Sequence, residues 1–166
     1  LAPDRETRLV IVGDGLKRAD LQARAEELRL DNVVFLPFQP YADLPGLLAS
    51  ADVLLVPLDK EKSFLSVPSK LYNYLAAGRP ILGLAVESSE VYRIIREAEC
   101  GLCAPPDDPQ RIAAAVGALR DDPGGREAMA ARGRRLAEDV YSRRSVVEAF
   151  EALMEEAARG PRGRRP

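Results

Sequence analysis

The sequence predicts an α/β fold with three layers, in which a parallel β-sheet has helices on both faces. Short apolar runs without polar alternation, such as Leu9–Val12, are typical of strands buried on both faces. Segments with apolar residues at helical spacing separate these runs, as expected for the crossovers of a parallel sheet. At 166 residues the chain is long enough for one core, so a single domain over 1–158 is expected.

Five strands are predicted from the apolar runs. The first run stops at the turn Gly13-Asp14-Gly15, and the third stops at Pro57. Because ligands of parallel sheets bind beyond the carboxyl ends of the strands, we expect the site in the loops that follow these runs or near Glu87. The predicted strands cover 9–12, 32–36, 53–57, 81–84 and 101–104.

Helical spacing is clearest in 19–30, where Leu21, Ala25 and Leu28 share one face. Asp43 is expected to cap the helix over 41–50. The charge run 59–62 indicates either a solvated loop or a mobile lid over a ligand. The other predicted helices are one that starts near Pro68 and ends at Gly78, followed by 89–98, 110–120, 126–140 and 143–158, and the basic tail 159–166 is expected to be disordered.

Composition excludes several classes of function. A net charge of −2 gives no basic field for nucleic acid, and no apolar run approaches the ~18 residues that span a bilayer. The chain has no histidine, which removes the usual general base, the usual metal ligand and any Ser-His triad. Two cysteines without a disulfide framework fit a reducing cytoplasm, and the N-terminus is unlike a signal peptide.

Two short motifs suggest chemistry but favour plainer interpretations. Gly13-Asp14-Gly15 resembles the start of a dinucleotide fingerprint, but Arg18 stands where the third glycine belongs, so a tight turn near a ligand is the preferred interpretation. Cys100 and Cys103 have metal-ligand or redox spacing. A zinc site needs two more ligands and the chain has no further Cys or His, so we interpret them as two small buried residues.

The most informative stretch is 66–80, a polar segment that leads into a predicted helix. A helix N-terminus offers free backbone N–H groups and the positive end of a dipole, which suits an anion. Ser69 and Lys70 lie in the first turn, and Asn73 lies four residues after Ser69 on the same face. These residues predict an anion site, unless the segment is only a capped surface helix with a solvated lysine.

Five segments of the chain follow one another in a characteristic order: 8–15, 30–38, 44–53, 75–80 and 101–108. Together they resemble the C-terminal, donor-binding domain of group 1 glycosyltransferases, the retaining family 4 with the GT-B fold. The resemblance covers about 8–141, and no metal or cofactor is implied beyond the nucleotide diphosphate sugar as substrate. It implies that the chain is one Rossmann-like half of a two-domain enzyme whose other half, N-terminal, binds the acceptor.

The resemblance also implies roles for individual residues. Lys70 and the amides at Ser69 would stabilise the departing diphosphate. Asn73 falls where the family usually has a glutamate on the ribose hydroxyls, and an amide still accepts from a hydroxyl. The residues carried over as donor-binding are Gly13, Gly15, Phe38, Ser66, Val67, Pro68, Ser69, Lys70 and Asn73, with Lys70 also catalytic.

The chain departs from the common family pattern of two glutamates eight residues apart. The corresponding positions are Leu65 and Asn73, with Ser66-Val67-Pro68 in place of Gly-Phe-Gly. This form resembles a subset that builds bacterial surface polysaccharide, of the WbuB or colanic-acid type. The family's first strand and phosphate-binding loop, and the whole acceptor domain, are expected before Leu1.

We therefore expect the donor-binding half of a retaining glycosyltransferase, inactive by itself. The whole enzyme would transfer sugar from a donor, expected to be UDP-linked, to a polysaccharide or lipid-linked acceptor, in the cytoplasm or peripherally at the inner face of the membrane. One alternative is a sugar-nucleotide epimerase of the same fold, for which Glu87 and Glu90 are the nearby carboxylates. Another is a non-catalytic α/β binding module, for which Asp14 alone is a poor acidic cluster.

Overall fold

The computed structural model describes residues 6–59 and 67–159, and within them it has the alternating strands and helices of an α/β fold. The strands are β1 (Leu9–Val12), β2 (Val33–Leu36), β3 (Leu54–Pro57), β4 (Ile81–Leu84) and β5 (Gly101–Ala104). The helices are α1 (Arg18–Glu27), α2 (Leu44–Ala49), α3 (Lys70–Ala77), α4 (Glu90–Glu97), α5 (Pro109–Asp121), α6 (Pro123–Asp139) and α7 (Arg143–Ala158), with a 3₁₀ turn Tyr41–Asp43 before α2.

The strands pair in parallel, but they form two sheets. One sheet contains β1 and β2, with Leu9 opposite Val33. The other has the order β3-β4-β5, with Ile81 between Leu54 and Gly101. The predicted α/β class with parallel strands is therefore confirmed, and within each sheet the carboxyl ends of the strands lie at one edge.

The hydrophobic core lies around the three-stranded sheet. Val56 on β3, Leu71 and Leu75 on α3, Ile81 on β4 and Ile95 on α4 are all fully buried and belong to one cluster. In contrast, none of the residues of β1, α1 and β2 falls in the buried class, and these elements make only sparse contacts with the rest of the described chain. The β1–α1–β2 unit thus depends little on the main core.

The cysteines follow the plainer interpretation. Cys100 is fully buried in the core, where desolvation raises its thiol pKa to about 11. Cys103 is partly buried against the same core, and desolvation raises its pKa to about 12. Both are free thiols, and such burial makes a thiol inert.

Local capping explains where most helices begin. Ser89, Asp108, Asp122 and Ser142 accept hydrogen bonds from backbone amides in the first turns of α4, α5, α6 and α7. The predicted cap at Asp43 is wrong, because this residue ends the 3₁₀ turn with a helical backbone (φ −88°, ψ −11°) and its side chain accepts no capping bond. A side-chain cap normally needs an extended backbone at that residue.

Some expectations fall on residues outside those described. The charge run 59–62, interpreted as either a solvated loop or a lid, continues beyond Asp59 into residues outside those described, and the predicted disordered tail lies almost wholly in 160–166. Among the residues that are described, no helix is both long and apolar enough to cross a membrane.

Candidate functional site

The loop after β1 starts at Gly13 and has open space beside its backbone. The Gly13 backbone has φ +116°, which side-chain-bearing residues rarely adopt, and its amide donates to the Leu36 carbonyl at 3.2 Å. No atom lies within 4 Å of the position where a Cβ would stand at Gly13 or at Gly15. The loop therefore leaves room for a ligand to approach the backbone closely.

Arg18, the first residue of α1, holds this loop in place through side-chain hydrogen bonds. Its Nη1 donates to the Gly13 carbonyl at 2.5 Å and to the Leu36 carbonyl at 2.7 Å, tying the ends of β1 and β2 together. The guanidinium also lies 5.8 Å from the centre of the Phe35 ring and 3.6 Å from the Asp14 carboxylate. In the sequence, Arg18 stood out only as the residue in place of a third glycine. A cation just after a glycine turn was the available signal for this positioning role.

Phe38 lies two residues beyond β2, at the same edge as Gly13. Its side chain is 73% exposed, and next to it the side-chain Nε2 of Gln39 donates a hydrogen bond to the Pro37 carbonyl at 2.9 Å. An exposed aromatic ring has a free face for stacking on a planar ligand.

The start of α3 has the free backbone donors that the sequence predicted. The Leu71 amide donates to the Pro68 carbonyl and the Tyr72 amide to the Ser69 carbonyl, in tight turns of 3.0 and 3.2 Å. The amides of Ser69 and Lys70 have no acceptor among the described residues, and the Ser69 side chain makes no capping bond. Two N–H groups and a hydroxyl thus remain available at this end.

Packing turns the polar side of α3 outward. Leu71 is buried in the core, and Tyr72 packs edge-to-face on Tyr141 of the α6–α7 loop with ring centres 4.9 Å apart. Lys70 and Asn73 are exposed, and no described carboxylate forms an ion pair with Lys70. The Lys70 charge is therefore available to an anion at the start of the helix.

The open start of α3 contrasts with most helices of the chain. Among the described helices of eight residues or more, α4 to α7 have side-chain caps, whereas α1 and α3 have none. These two helices follow the strands β1 and β3 along the chain. Uncapped N-termini at strand carboxyl ends are the expected sites for phosphate groups.

The predicted site residues form two groups. Gly13, Gly15 and Phe38 lie at the carboxyl edge of the β1–β2 sheet, while Val67 to Asn73 lie at the start of α3, with Val67 packed on the core. Ser66 lies outside the described residues. No hydrogen bond or ion pair that the structure records joins the two groups.

Two other features do not add to the site. Glu90, a candidate acid for an epimerase, pairs with Arg93, and the hydrogen bond between them lowers the Glu90 pKa, opposite to what a general acid near neutral pH needs. A groove of about 530 Å³ between α1 and β2, lined by Ala25, Val33, Phe35 and their neighbours, contains none of the predicted site residues.

The family model for group 1 glycosyl transferases matches residues 1–122. The chain belongs to this family. The probable glycosyltransferase WbjE of Pseudomonas aeruginosa is 33% identical over 113 residues, which are 68% of this chain and 28% of that protein. The putative colanic acid biosynthesis glycosyl transferase WcaI of Escherichia coli K12 is 38% identical over 89 residues, 54% of this chain and 21% of that protein.

Solved structures show the same fold. WaaG, a glycosyltransferase involved in lipopolysaccharide biosynthesis, superposes with a TM-score of 0.64 at 28% identity over 80% of this chain and 34% of its own. HepE of Anabaena, solved in complex with UDP, superposes with a TM-score of 0.71 at 19% identity over 93% of this chain and 42% of its own. The matched region of this chain spans about a third of the length of WbjE and of WaaG, and its fold matches that of GT-B glycosyltransferases.

Proposed function

We propose that this domain binds the nucleotide diphosphate of an activated sugar, and that the whole polypeptide transfers the sugar with retention of anomeric configuration. The observation that carries the proposal is the start of α3, where two free amides and the exposed side chains of Ser69 and Lys70 lie within two neighbouring residues. A diphosphate is the ligand that this combination of donors and positive charge fits best.

The leaving group explains why these donors matter for rate. When the bond between sugar and diphosphate breaks, negative charge grows on the departing oxygen. Lys70 and the N-terminus of α3 stabilise that negative charge more strongly in the transition state than in the bound substrate. Lys70 thereby acts as a catalytic residue without accepting a proton.

The loops after β1 and β2 are proposed to bind the nucleoside. Gly13 and Gly15 let the sugar or phosphate approach the backbone, and the Phe38 ring stacks on the base. Asn73, exposed on the outer side of α3, hydrogen-bonds the ribose hydroxyls. Uracil is the proposed base, supported by the UDP complex of the similarly folded HepE.

A nucleotide titration tests the proposal. We expect UDP at millimolar concentration to shift the amide resonances of Gly13, Phe38 and residues 69–73 in an NMR spectrum of the full-length polypeptide, with GDP and ADP giving smaller shifts. Equal shifts for all three nucleotides would refute the choice of uracil. Shifts confined to other regions would refute the site.

Paired variants test the role of Lys70. Lys70→Ala removes a charge-assisted hydrogen bond and is expected to weaken UDP binding about 10- to 100-fold. The control Arg96→Ala removes one positive charge from the last turn of α4 and should leave the affinity for UDP unchanged. In the full-length enzyme Lys70→Ala should also cut turnover while the melting temperature stays near wild type. Unchanged turnover would remove Lys70 from the site.

We further propose that the acceptor is a polysaccharide or a lipid-linked sugar and that the missing half of the enzyme holds it. The functions printed for WcaI and WaaG, in colanic acid and lipopolysaccharide biosynthesis, support this acceptor class. With such an acceptor, the enzyme would act in the cytoplasm at the inner face of the membrane. The free thiols of the chain are compatible with that reducing compartment. Co-sedimentation of the full-length enzyme with anionic vesicles tests the membrane contact, and recovery only in the supernatant would refute it.

A further inference from the structure

Helix α6 holds the C-terminal end of α3. Arg134 of α6 donates from Nη1 to the Ala76 carbonyl in the last turn of α3. Gly133 lets the α6 backbone come close, because a Cβ at this position would stand 3.3 Å from the side chain of Leu75. Among the described helices, α6 packs most extensively on α3. The end of α3 is therefore fixed by several contacts with one neighbour.

Two buried leucines hold the start of α3 along a single line. Leu71 and Leu75 are one turn apart on the same side of the helix, and both are fully buried. A helix anchored along one line can still roll about that line. Such a roll would change the direction in which Lys70 and Asn73 point, so a contact away from the line is needed to fix it.

Tyr72 makes such a contact. It follows Leu71 by one residue, about 100° round the helix. Its ring packs edge-to-face on Tyr141, with ring centres 4.9 Å apart and an angle of 68° between the rings, which is a favoured geometry for aromatic pairs. The pair connects the first turn of α3, which has no side-chain cap, to the loop between α6 and α7.

Tyr141 is itself held in place. It directly follows Val140, the residue that ends α6, and its amide donates to the Leu136 carbonyl at 3.3 Å. Its side chain packs on the main core, and burial raises the pKa of its hydroxyl above the ordinary value. The hydroxyl is therefore protonated at neutral pH, and the ring acts through packing rather than through charge.

We propose that Tyr141 is a positioning residue for the diphosphate site, which through Tyr72 sets the roll of α3 so that Lys70 and the free amides face the bound diphosphate. This inference rests on the proposed function. Lys70 lies two residues before Tyr72 in the same turn, so the two move together. Without the pair, α3 would spend less time in the binding orientation, and the affinity would fall in proportion.

The affinities of the full-length polypeptide for UDP and for uridine test the proposal, because the two probes differ only in the diphosphate. An aromatic pair of this kind changes an equilibrium constant by about 2- to 12-fold. Tyr141→Leu should therefore weaken UDP binding by about 3- to 10-fold. Uridine should lose less than about 2-fold, because in the proposed site it meets only Asn73 on α3. Equal losses for the two probes would indicate a general loosening of the fold and would overturn the proposal.

Two further variants separate positioning from a structural role. Tyr141→Phe keeps the ring and should retain the wild-type affinity for UDP, whereas a loss as large as that of Tyr141→Leu would contradict the packing role. The control Tyr92→Leu changes another tyrosine that is partly buried against the same core, on α4, and should leave the affinity for UDP unchanged. An equal loss in this control would also count against the proposal.

A double-mutant cycle tests the route through Tyr72. This side chain is 36% exposed, so Tyr72→Leu leaves the buried core intact. It should weaken UDP binding about as much as Tyr141→Leu, and the double variant should be little weaker than either single variant, because both remove one contact. Losses that multiply would show that the two tyrosines act independently, and the proposal would then be wrong.

Amide hydrogen exchange gives a readout without any nucleotide. The Tyr72 amide donates to the Ser69 carbonyl in the first turn of α3, and the Gly78 amide donates to the Leu75 carbonyl at its end. Tyr141→Leu should speed exchange of the Tyr72 amide by about 3- to 10-fold and leave the Gly78 amide unchanged, since α6 still holds that end. Unchanged exchange at Tyr72 would overturn the proposal.

The wild-type protein separates this proposal from the proposed function. If it binds UDP no more tightly than uridine, the diphosphate site is refuted, and the positioning role with it. If it prefers UDP and the Tyr141→Leu variant keeps the full preference, only the positioning role is refuted.

Discussion

Arg18 is expected to be the main stabilising side chain of the β1–α1–β2 unit, and replacing it with methionine tests this. Methionine retains an unbranched apolar stem but lacks the guanidinium. The change deletes the hydrogen bonds to the Gly13 and Leu36 carbonyls, and with them the side-chain connection between the ends of the two strands. Only the backbone bond from the Gly13 amide to Leu36 would remain there.

The structure gives the expected size of the effect. One nitrogen of Arg18 serves both carbonyls, so the pair counts as one strong charged hydrogen bond, worth about 1.5–3 kcal/mol. The guanidinium over the Phe35 ring at 5.8 Å adds about 0.5–1 kcal/mol. The side chain is only 21% exposed, so water replaces these contacts poorly. We expect a loss of about 2–4 kcal/mol in the free energy of opening the unit.

Exchange of the Leu9 and Gly13 amides reports that opening, since both donate across the β1–β2 sheet. The control is Arg24→Met on the same helix, which removes an exposed ion pair with Glu27 worth about 0–1 kcal/mol. Arg18→Met should therefore speed exchange of these amides far more than Arg24→Met does. Similar exchange rates in the two variants would refute the role assigned to Arg18.

Three further predictions concern the main core and its thiols. Leu54→Ala on β3 should cost about 2–5 kcal/mol in urea unfolding, and a loss under about 1 kcal/mol would contradict the burial of this strand. Gly101→Ala should lower the free energy of unfolding by about 3 kcal/mol or more, because the added Cβ would stand 1.8 Å from a β4 carbonyl oxygen. The control Gly117→Ala on α5, where the added Cβ meets open space, should raise the free energy of unfolding by about 0.5–1 kcal/mol. Equal effects of the two substitutions would refute the packing around Gly101. Cys100 and Cys103 should react with a disulfide reagent at pH 8 at least about 100-fold more slowly in the native chain than in denaturant, since burial raises both thiol pKa values, and equal rates would refute their burial.

Most secondary structure could be predicted from the sequence because its signals are local. The strands at 9–12, 81–84 and 101–104 agree with the prediction, and the other two start one residue later than expected. Gly78 ends α3 with φ +63°, as a glycine at a helix end predicts. The helix predicted from 126 instead starts at Pro123, because the Asp122 side chain caps it, a capping signal that the sequence analysis overlooked.

The candidate site was only partly predictable. Ser69, Lys70 and Asn73 could be proposed because a helix start and a four-residue spacing can be recognised from sequence alone, and their role in donor binding stays a prediction. Arg18 was overlooked because its partners are backbone carbonyls at the ends of two strands, Gly13 and Leu36, one of them eighteen residues away. Such contacts exist only once β1 and β2 lie side by side.

The sequence by itself determined the α/β class, the strand and helix order and the family, since apolar runs, helical spacing and ordered motifs are properties of neighbouring residues. Only the tertiary structure decided that the parallel strands form two sheets, which helix starts keep free amides, and which strand edges are left open. These features depend on hydrogen bonds between distant segments. An apolar run such as Leu9–Val12 predicts a strand without specifying its neighbours, and the burial predicted for this run is wrong because, among the described strands, β1 pairs only with β2, away from the main core.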